Sequence, residues 1–243
     1  MPQWAAQPAY NLTNVVSHDD MASIMDRPAT GSFERIEHSG HSGTHIDALC
    51  HVGRWHDDQP FLHGEVPVRE IQSPNGFSRL GAEEFPPILV RGVLLDVAAE
   101  KGMDTLPDLY EISADDLRRC ESRQDLKVEA GSAPLIRTGF ARYWHADPAR
   151  YIGQGAGVGA EAARYLAEQG CVVTGADTAN YEVLAFPTLP AHGILVYEHG
   201  IPIVENLNLE ELAEAKVYEF LFITLPIAFS GSTGTQVHPI AIA

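Results

Sequence analysis

The chain is poor in positive charge, in cysteine and in long apolar runs, and each shortage excludes something. Its 243 residues carry 16 Lys and Arg against 33 Asp and Glu, a formal net charge of −17. A chain so acidic repels polyphosphates and anionic headgroups, so neither nucleic acid nor a charged membrane surface is an expected partner. The three cysteines, Cys50, Cys120 and Cys171, are odd in number, far apart and without a CxxC pair. They build no disulfide scaffold, and a reducing cytoplasm is the expected location. The opening MPQWAAQPAY lacks the basic and apolar regions of a signal peptide. The most apolar run, Val217 to Phe229, is too short to span a bilayer and contains Glu219 and Pro226. It reads as a buried strand.

What remains is the composition of an ordinary globular protein, 45% hydrophobic and 20% charged. The length suits one domain over residues 1–243. Asn11-Leu12-Thr13 opens a short strand, and Pro28 with Gly31 breaks its continuation. Val90 to Val97, Pro134 to Thr138 and Cys171 to Ala176 read as buried strands. Ser113 with Asp116 starts a helix, and a second helix runs from about Glu161 to a stop at Gly170. His192 to Val196 and Ile201 to Glu205 read as a β-hairpin turning at Glu198-His199-Gly200. That hairpin would set His192 beside Glu205. Asn208 with Glu211 resembles a capping box. The fold class is therefore α/β, a strand-rich core with few helices.

The chemistry concentrates in His41-Ser42-Gly43-Thr44-His45-Ile46-Asp47-Ala48-Leu49-Cys50-His51. Gly40 and Gly43 argue against a helix here. In an extended chain His41, Gly43, His45 and Asp47 point to one side, leaving a gap between the two imidazoles. Two imidazoles and a carboxylate around a gap suit zinc or manganese. Cys50 falls on the other parity and reads as a buried structural thiol. Six of the 11 histidines lie in residues 38–63, and His38, His56 and His63 read as surface or substrate-side positions. Phe33 and Trp55, which flank the metal stretch, are candidate substrate-pocket residues, and Trp55 suits a half-buried packing role equally. Asp177 suits either a functional place at a strand end or a turn cap. Residues 53–87 form a long irregular stretch, a candidate lid or dimer arm. Gly155, Gly157 and Ala160 satisfy a GxGxxA pattern, but no strand precedes it, so it reads as a helix entry and not a dinucleotide site.

HSGTHIDALCH resembles the HxGTHxDxPxH signature of the cyclase family of metal-dependent hydrolases, which includes bacterial kynurenine formamidase and isatin hydrolase. Leu49 stands where that family usually has proline. GFARYW resembles the family's RTGWxxYW segment, with Phe140 for tryptophan. HGILVYEHGIPIVENL resembles a late segment that supplies a histidine and a glutamate to the metal site. GSTGTQV resembles the terminal GxTGSPVR loop, with Gln236 for proline and His238 following for arginine. The resemblance implies a swivelling β/β/α architecture and a homodimer. It implies metal ligation by His41, His45, Asp47, His192 and Glu205, with Asp47 and Glu205 bridging two divalent ions, and an acid/base role for His51. The implied reaction is hydrolysis of an amide C–N bond in a small molecule, either an arylformamide or a cyclic imide or lactam. The same residues also suit a lactone-opening hydrolase, or a protein that binds metal or a small ligand without turnover.

Overall fold

The computed structural model describes residues 2, 4–21, 23–24, 29–184 and 188–243. Pro28 lies outside them. The protein is built on one mixed sheet of eight strands, numbered here in chain order. They are β1 (His45–Asp47), β2 (Ile88–Asp96), β3 (Ala133–Arg137), β4 (Thr174–Ala176), β5 (Ile203–Glu205), β6 (Glu219–Thr224), β7 (Gly234–Gln236) and β8 (Ile240–Ile242). Their spatial order is β7-β1-β5-β4-β3-β2-β6-β8. The central four, β5-β4-β3-β2, are parallel, and an antiparallel pair flanks them on each side.

Parallel neighbours need a crossover, and helices supply it here. Helix α1 (Ala114–Gln124) connects β2 to β3, and α2 (Ala160–Glu168) connects β3 to β4. Between β4 and β5 runs α3 (Pro190–His192), which continues as a π-helix over Gly193–Glu198. The expected helix start at Ser113 is a capping box: Ser113 Oγ accepts from Asp116 N and Asp116 Oδ2 accepts from Ser113 N, at 3.2 and 2.9 Å. Gly170, at φ 76°, ends α2 in the left-handed conformation that glycine adopts without strain.

Both faces of the parallel strands are covered, which is why the second half of β2, Val93-Leu94-Leu95, is apolar and buried at every position. Val93 and Leu95 pack with Leu117, Leu166 and Leu195 under the helices. Leu94 faces the other way and packs with Ile46, Leu135, Val204, Phe220 and Phe222. Strands β1 and β6 lie far apart in the sheet order, and side chains of the strands between them link their residues into this second core. Full burial of each such side chain contributes about 1.5–3 kcal/mol.

Four local expectations are corrected. His192 lies on α3 and the following residues are π-helical, so no β-hairpin joins it to Glu205. Pro190 at the first helical turn, with its fixed φ, favours that helix. Residues 40–44 form a turn, and only His45–Asp47 is extended. Gly43, at φ 67°, makes the turn possible. Asn208 Oδ1 accepts from Glu210 N at 3.3 Å, but Leu209 takes the N-cap position without a side-chain cap. Residues 53–87 are not loose. They contain a three-stranded sheet, Arg54–His56, Gln59–Leu62 and Val66–Pro67, and a hairpin of Gln72–Ser73 with Gly76–Phe77. His56 and His63 tie this segment to Tyr197 of the π-helix.

Candidate metal centre

The site lies where β5 ends and β1 begins. The two strands pair antiparallel with Glu205 opposite His45, so both side chains leave the sheet at one place. Asp47 stands two residues along β1 on the same face as His45. The α3 helix brings His192 in from the other side. His45, Asp47, His192 and Glu205 are all buried. Asp47 Oδ1 is 3.5 Å from His45 Nε2, and its Oδ2 is 3.4 Å from His192 Nε2. Glu205 repeats the arrangement, with Oε2 3.4 Å from His45 Nε2 and Oε1 3.4 Å from His192 Nε2.

These separations are long for hydrogen bonds, yet they match a coordination polyhedron. Two donors each about 2.1 Å from one tetrahedral ion stand about 3.4 Å apart. Asp47 Oδ2 is buried and has no hydrogen-bond partner, a costly state for a carboxylate oxygen unless a cation satisfies it. The other nitrogen of each imidazole is already fixed. His45 Nδ1 donates to Gly43 O at 2.9 Å, and His192 Nδ1 donates to Glu182 Oε1 at 2.5 Å. With Nδ1 held as a donor in both rings, Nε2 is the ring atom left facing the carboxylates, where a cation would take the place of its proton. The residues therefore fit divalent cations.

Electrostatics agree. Burial alone would lower the His45 pKa, but Asp47 and Glu205 outweigh it and raise it to about 10. Burial opposes charge on His192 too, and Asp47, Glu182 and Glu205 raise it well above the ordinary value. Burial would raise Asp47, yet the surrounding histidines hold it well below the usual carboxylate range. Two carboxylates that retain protons on neighbouring imidazoles form a site seeking positive charge.

His41 approaches from the Gly43 turn. Its Nδ1 meets Asp47 Oδ1 and its Nε2 meets Thr233 Oγ1, both at 2.9 Å. The terminal segment packs so closely that a Cβ at Gly234 would come within 2.6 Å of the His41 ring. Gln236, in the family's proline position, donates to the carbonyls of Ser39, Gly40 and Ser42 and so braces the turn. His51 follows a turn closed by its own N–H on Ala48 O, which needs no proline at position 49. Its ring lies 4.2 Å from that of His41 and 6.2 Å from that of His192. The atoms packed around it, with His41 and His192, lower its pKa to about 4 against the pull of Asp47 and Glu205. The residue is exposed, so solvent screens part of that effect. The direction, a neutral imidazole at neutral pH, is what the geometry supports.

The structure thus brings together His41, His45, Asp47, His51, His192 and Glu205. Ligand atoms of His41, His45 and Asp47, and of Asp47, His51 and His192, form two groups each within 4.8 Å. A cavity of about 340 Å³ opens above them, walled by Trp4, Ile152, Ala179, Leu184 and Leu189. Phe33 and Trp55 do not line it. They are 60% and 72% exposed on peripheral strands, Phe33–Glu37 and Arg54–His56, that carry them into solvent. Cys50 is buried, as expected. Asp177 is a fastener: its carboxylate accepts from Thr138 N, Thr138 Oγ1 and Gly139 N at 2.8, 2.6 and 2.8 Å. Two residues escaped the sequence reading. Glu182, buried, accepts from Ala191 N and from both His192 N and Nδ1. Trp4 forms the outer wall. Neither carries a local signal beyond its residue type.

A family model described as "Putative cyclase" matches residues 1–183. No curated protein matches the chain. The crystal structure of a novel cyclase is similar over all of this chain and 84% of that one, with 27% identity and a TM-score of 0.87. Isatin hydrolase A from Labrenzia aggregata, bound to benzyl benzoate, matches 99% of this chain and 86% of its own at 21% identity and TM-score 0.71. Isatin hydrolase A from Ralstonia solanacearum matches 98% and 83% at 18% identity and TM-score 0.70. At these identities the two isatin hydrolases share the fold.

Proposed function

Because the chain belongs to the putative cyclase family, we propose that it is a metal-dependent hydrolase of a small-molecule amide C–N bond. The observation that carries this reading is the set of imidazole–carboxylate separations of 3.4–3.5 Å around Asp47 and Glu205. His45 and His192 would each offer Nε2 to one of two ions, zinc or manganese. Asp47 and Glu205 would hold the ions together with these histidines and supply the negative charge that offsets them. His41 would join the His45 side through the nitrogen that faces Asp47. Bound divalent ions supply Lewis acidity and bring the pKa of a water down to about 7.

The chain's own groups do the rest. His51 stands beyond the ligands at the cavity floor, where it takes a proton from the attacking water and returns it to the leaving nitrogen, a role worth about 10²–10⁴-fold. Glu182 holds the His192 ring in the tautomer that directs Nε2 inward. The apolar walls limit water around the reacting carbonyl. Among the described lining residues there is no lysine or arginine. That favours a neutral ring, a cyclic imide or lactam, over an arylformamide bearing an amino-acid group.

We further propose that residues 1–243 act as one catalytic domain in a cytoplasmic homodimer. Three buried free thiols suit a reducing compartment. Among the described residues no helix is long and apolar enough to cross a membrane. The hairpin of Asn11–Val16 with Phe33–Glu37 exposes Leu12, Phe33 and Ile36, and a lone two-stranded hairpin is marginal in water, which suits cover by a second copy.

Elemental analysis of the purified protein with a panel of cyclic imides, lactams, arylformamides and lactones tests the reading. We expect close to two divalent ions per chain and turnover of the imides or lactams. Turnover of lactones alone would favour a lactonase, and bound metal without any turnover would favour a binding protein. Active protein free of transition metal would refute the centre itself.

A further inference from the structure

Thr233 precedes β7 by one residue and stands beside the end of β1. Its carbonyl accepts from Ala48 N at 2.9 Å, and its neighbour Gly234 pairs with Asp47 across the two strands. With the backbone fixed there, the side chain reaches His41, and Thr233 Oγ1 lies 2.9 Å from His41 Nε2. Nδ1 of the same ring meets Asp47 Oδ1, also at 2.9 Å. The ring is closely bounded: a Cβ on Gly234 would come within 2.6 Å of it, and the His51 ring lies 4.2 Å away. His41 is thus held at both nitrogens and packed against its neighbours.

The partner at His41 Nε2 differs in kind from those that hold the other two imidazoles. Nδ1 of His45 and Nδ1 of His192 face Gly43 O and Glu182 Oε1. Carbonyl and carboxylate oxygens only accept, so each pins a proton on the nitrogen that it faces. A threonine hydroxyl both donates and accepts. Beside Asp47 alone, a neutral His41 ring carries its proton on Nδ1, and Nε2 accepts from the Thr233 O–H. Ligation through Nδ1 requires that nitrogen bare, so the proton sits on Nε2 and is donated to Thr233 Oγ1. The hydroxyl meets both needs by rotating about its own C–O bond, and the ring stays where it is. We propose that Thr233 is the positioning residue of His41, its hydroxyl holding the ring against Asp47 in either tautomer so that His41 enters the centre without turning. The proposal rests on the reading of the site as a metal centre.

The test compares three substitutions in the full-length protein. Thr233→Val keeps the shape and removes the hydroxyl, Thr233→Ala removes it without the bulk, and Thr233→Ser keeps it. Zinc affinity, measured by competition with a chromophoric chelator, should fall by about tenfold or more in the Val and Ala variants and stay within about threefold of the parent in the Ser variant. A second readout needs no metal. In metal-free protein labelled with 15N in histidine, the His41 Nε2 resonance should move on Thr233→Val and return with Thr233→Ser, while the ring resonances of His192, held by Glu182, stay in place. Zinc affinity within about threefold of the parent in the Val or Ala variant would overturn the proposal. So would a Ser variant no better than the Val variant, or a His41 resonance that does not move. A parent protein that binds no zinc would refute the metal centre and this proposal with it, whereas normal zinc binding by the parent with any of the three preceding results would refute the proposal alone.

Discussion

Replacing Glu182 by glutamine tests how the centre is held, because the change conserves shape and removes one acceptor. Glu182 Oε2 accepts from Ala191 N at 2.9 Å, and Oε1 accepts from His192 N at 3.0 Å and from His192 Nδ1 at 2.5 Å. A glutamine has one oxygen for these three donors. If that oxygen stays on His192, the new NH₂ opposes the Ala191 N–H. If it turns to Ala191, the NH₂ opposes the His192 N–H, and the imidazole can accept at Nδ1 only by moving its proton to Nε2. That second tautomer has no lone pair for a metal. In either orientation a buried donor is left unpaired, at a cost of about 1–3 kcal/mol.

The effect on metal is separate. Losing the partner that orients a ligating imidazole typically weakens metal affinity by about 10–100-fold, or roughly 1.4–2.7 kcal/mol. Glu182→Gln should therefore lose affinity in that range in competition with a chromophoric chelator. Its melting temperature should also fall when both proteins are compared without metal. Metal affinity within about threefold of the parent, with an unchanged melting temperature, would refute the reasoning and reduce Glu182 to a packing residue.

His51→Ala should keep its metal content and melting temperature while kcat falls by about 10²–10⁴-fold, with little change in KM; loss of metal would make His51 a ligand, and normal turnover a bystander. Asp177 allows a prediction about pH. Burial raises its pKa from the ordinary 3.8 to about 6, against the hydrogen bonds from Thr138 and Gly139. A folded-state pKa above the unfolded value gives stability that is fully present below about pH 3.8 and lost as pH rises through about 6. The displacement corresponds to roughly 3 kcal/mol at most. Asp177→Asn removes that titration and also turns an NH₂ toward donors, so it should be least stable relative to the parent near pH 4 and closer to it at pH 7. Urea unfolding of both proteins across this range measures the difference, and a gap that widens with pH would refute the assignment.

Much of the fold is legible in local pattern. The runs that became β2, β3 and β4 are mostly apolar because parallel strands are buried on both faces. The α1 start is legible because Ser113 and Asp116 satisfy one another within a single turn. His45 and Asp47 share a face for the simple reason that strands alternate. His41 reaches the same place by a different route, the Gly43 turn, which a pattern of alternating positions does not encode. For His192 and Glu205 the family resemblance placed the pair together, whereas the local reading of a hairpin supplied the wrong geometry.

By itself, then, the sequence determined the chemistry on offer: a dense group of histidines with a carboxylate, an acidic chain and no disulfide framework. These are matters of residue type and short spacing. Tertiary structure alone decided which side chains face one another. The pairing of β1 with β5 sets Glu205 opposite His45, and the α3 crossover delivers His192 with Glu182 behind it. Phe33 and Trp55 look like pocket residues by composition and position, but the strands that carry them lie at the periphery. Trp4 stands far from the motif in sequence and lines the cavity, where its indole N–H donates to Asn180 Oδ1. Contacts of that separation depend on how the sheet and its crossovers pack, and no window of local sequence contains them.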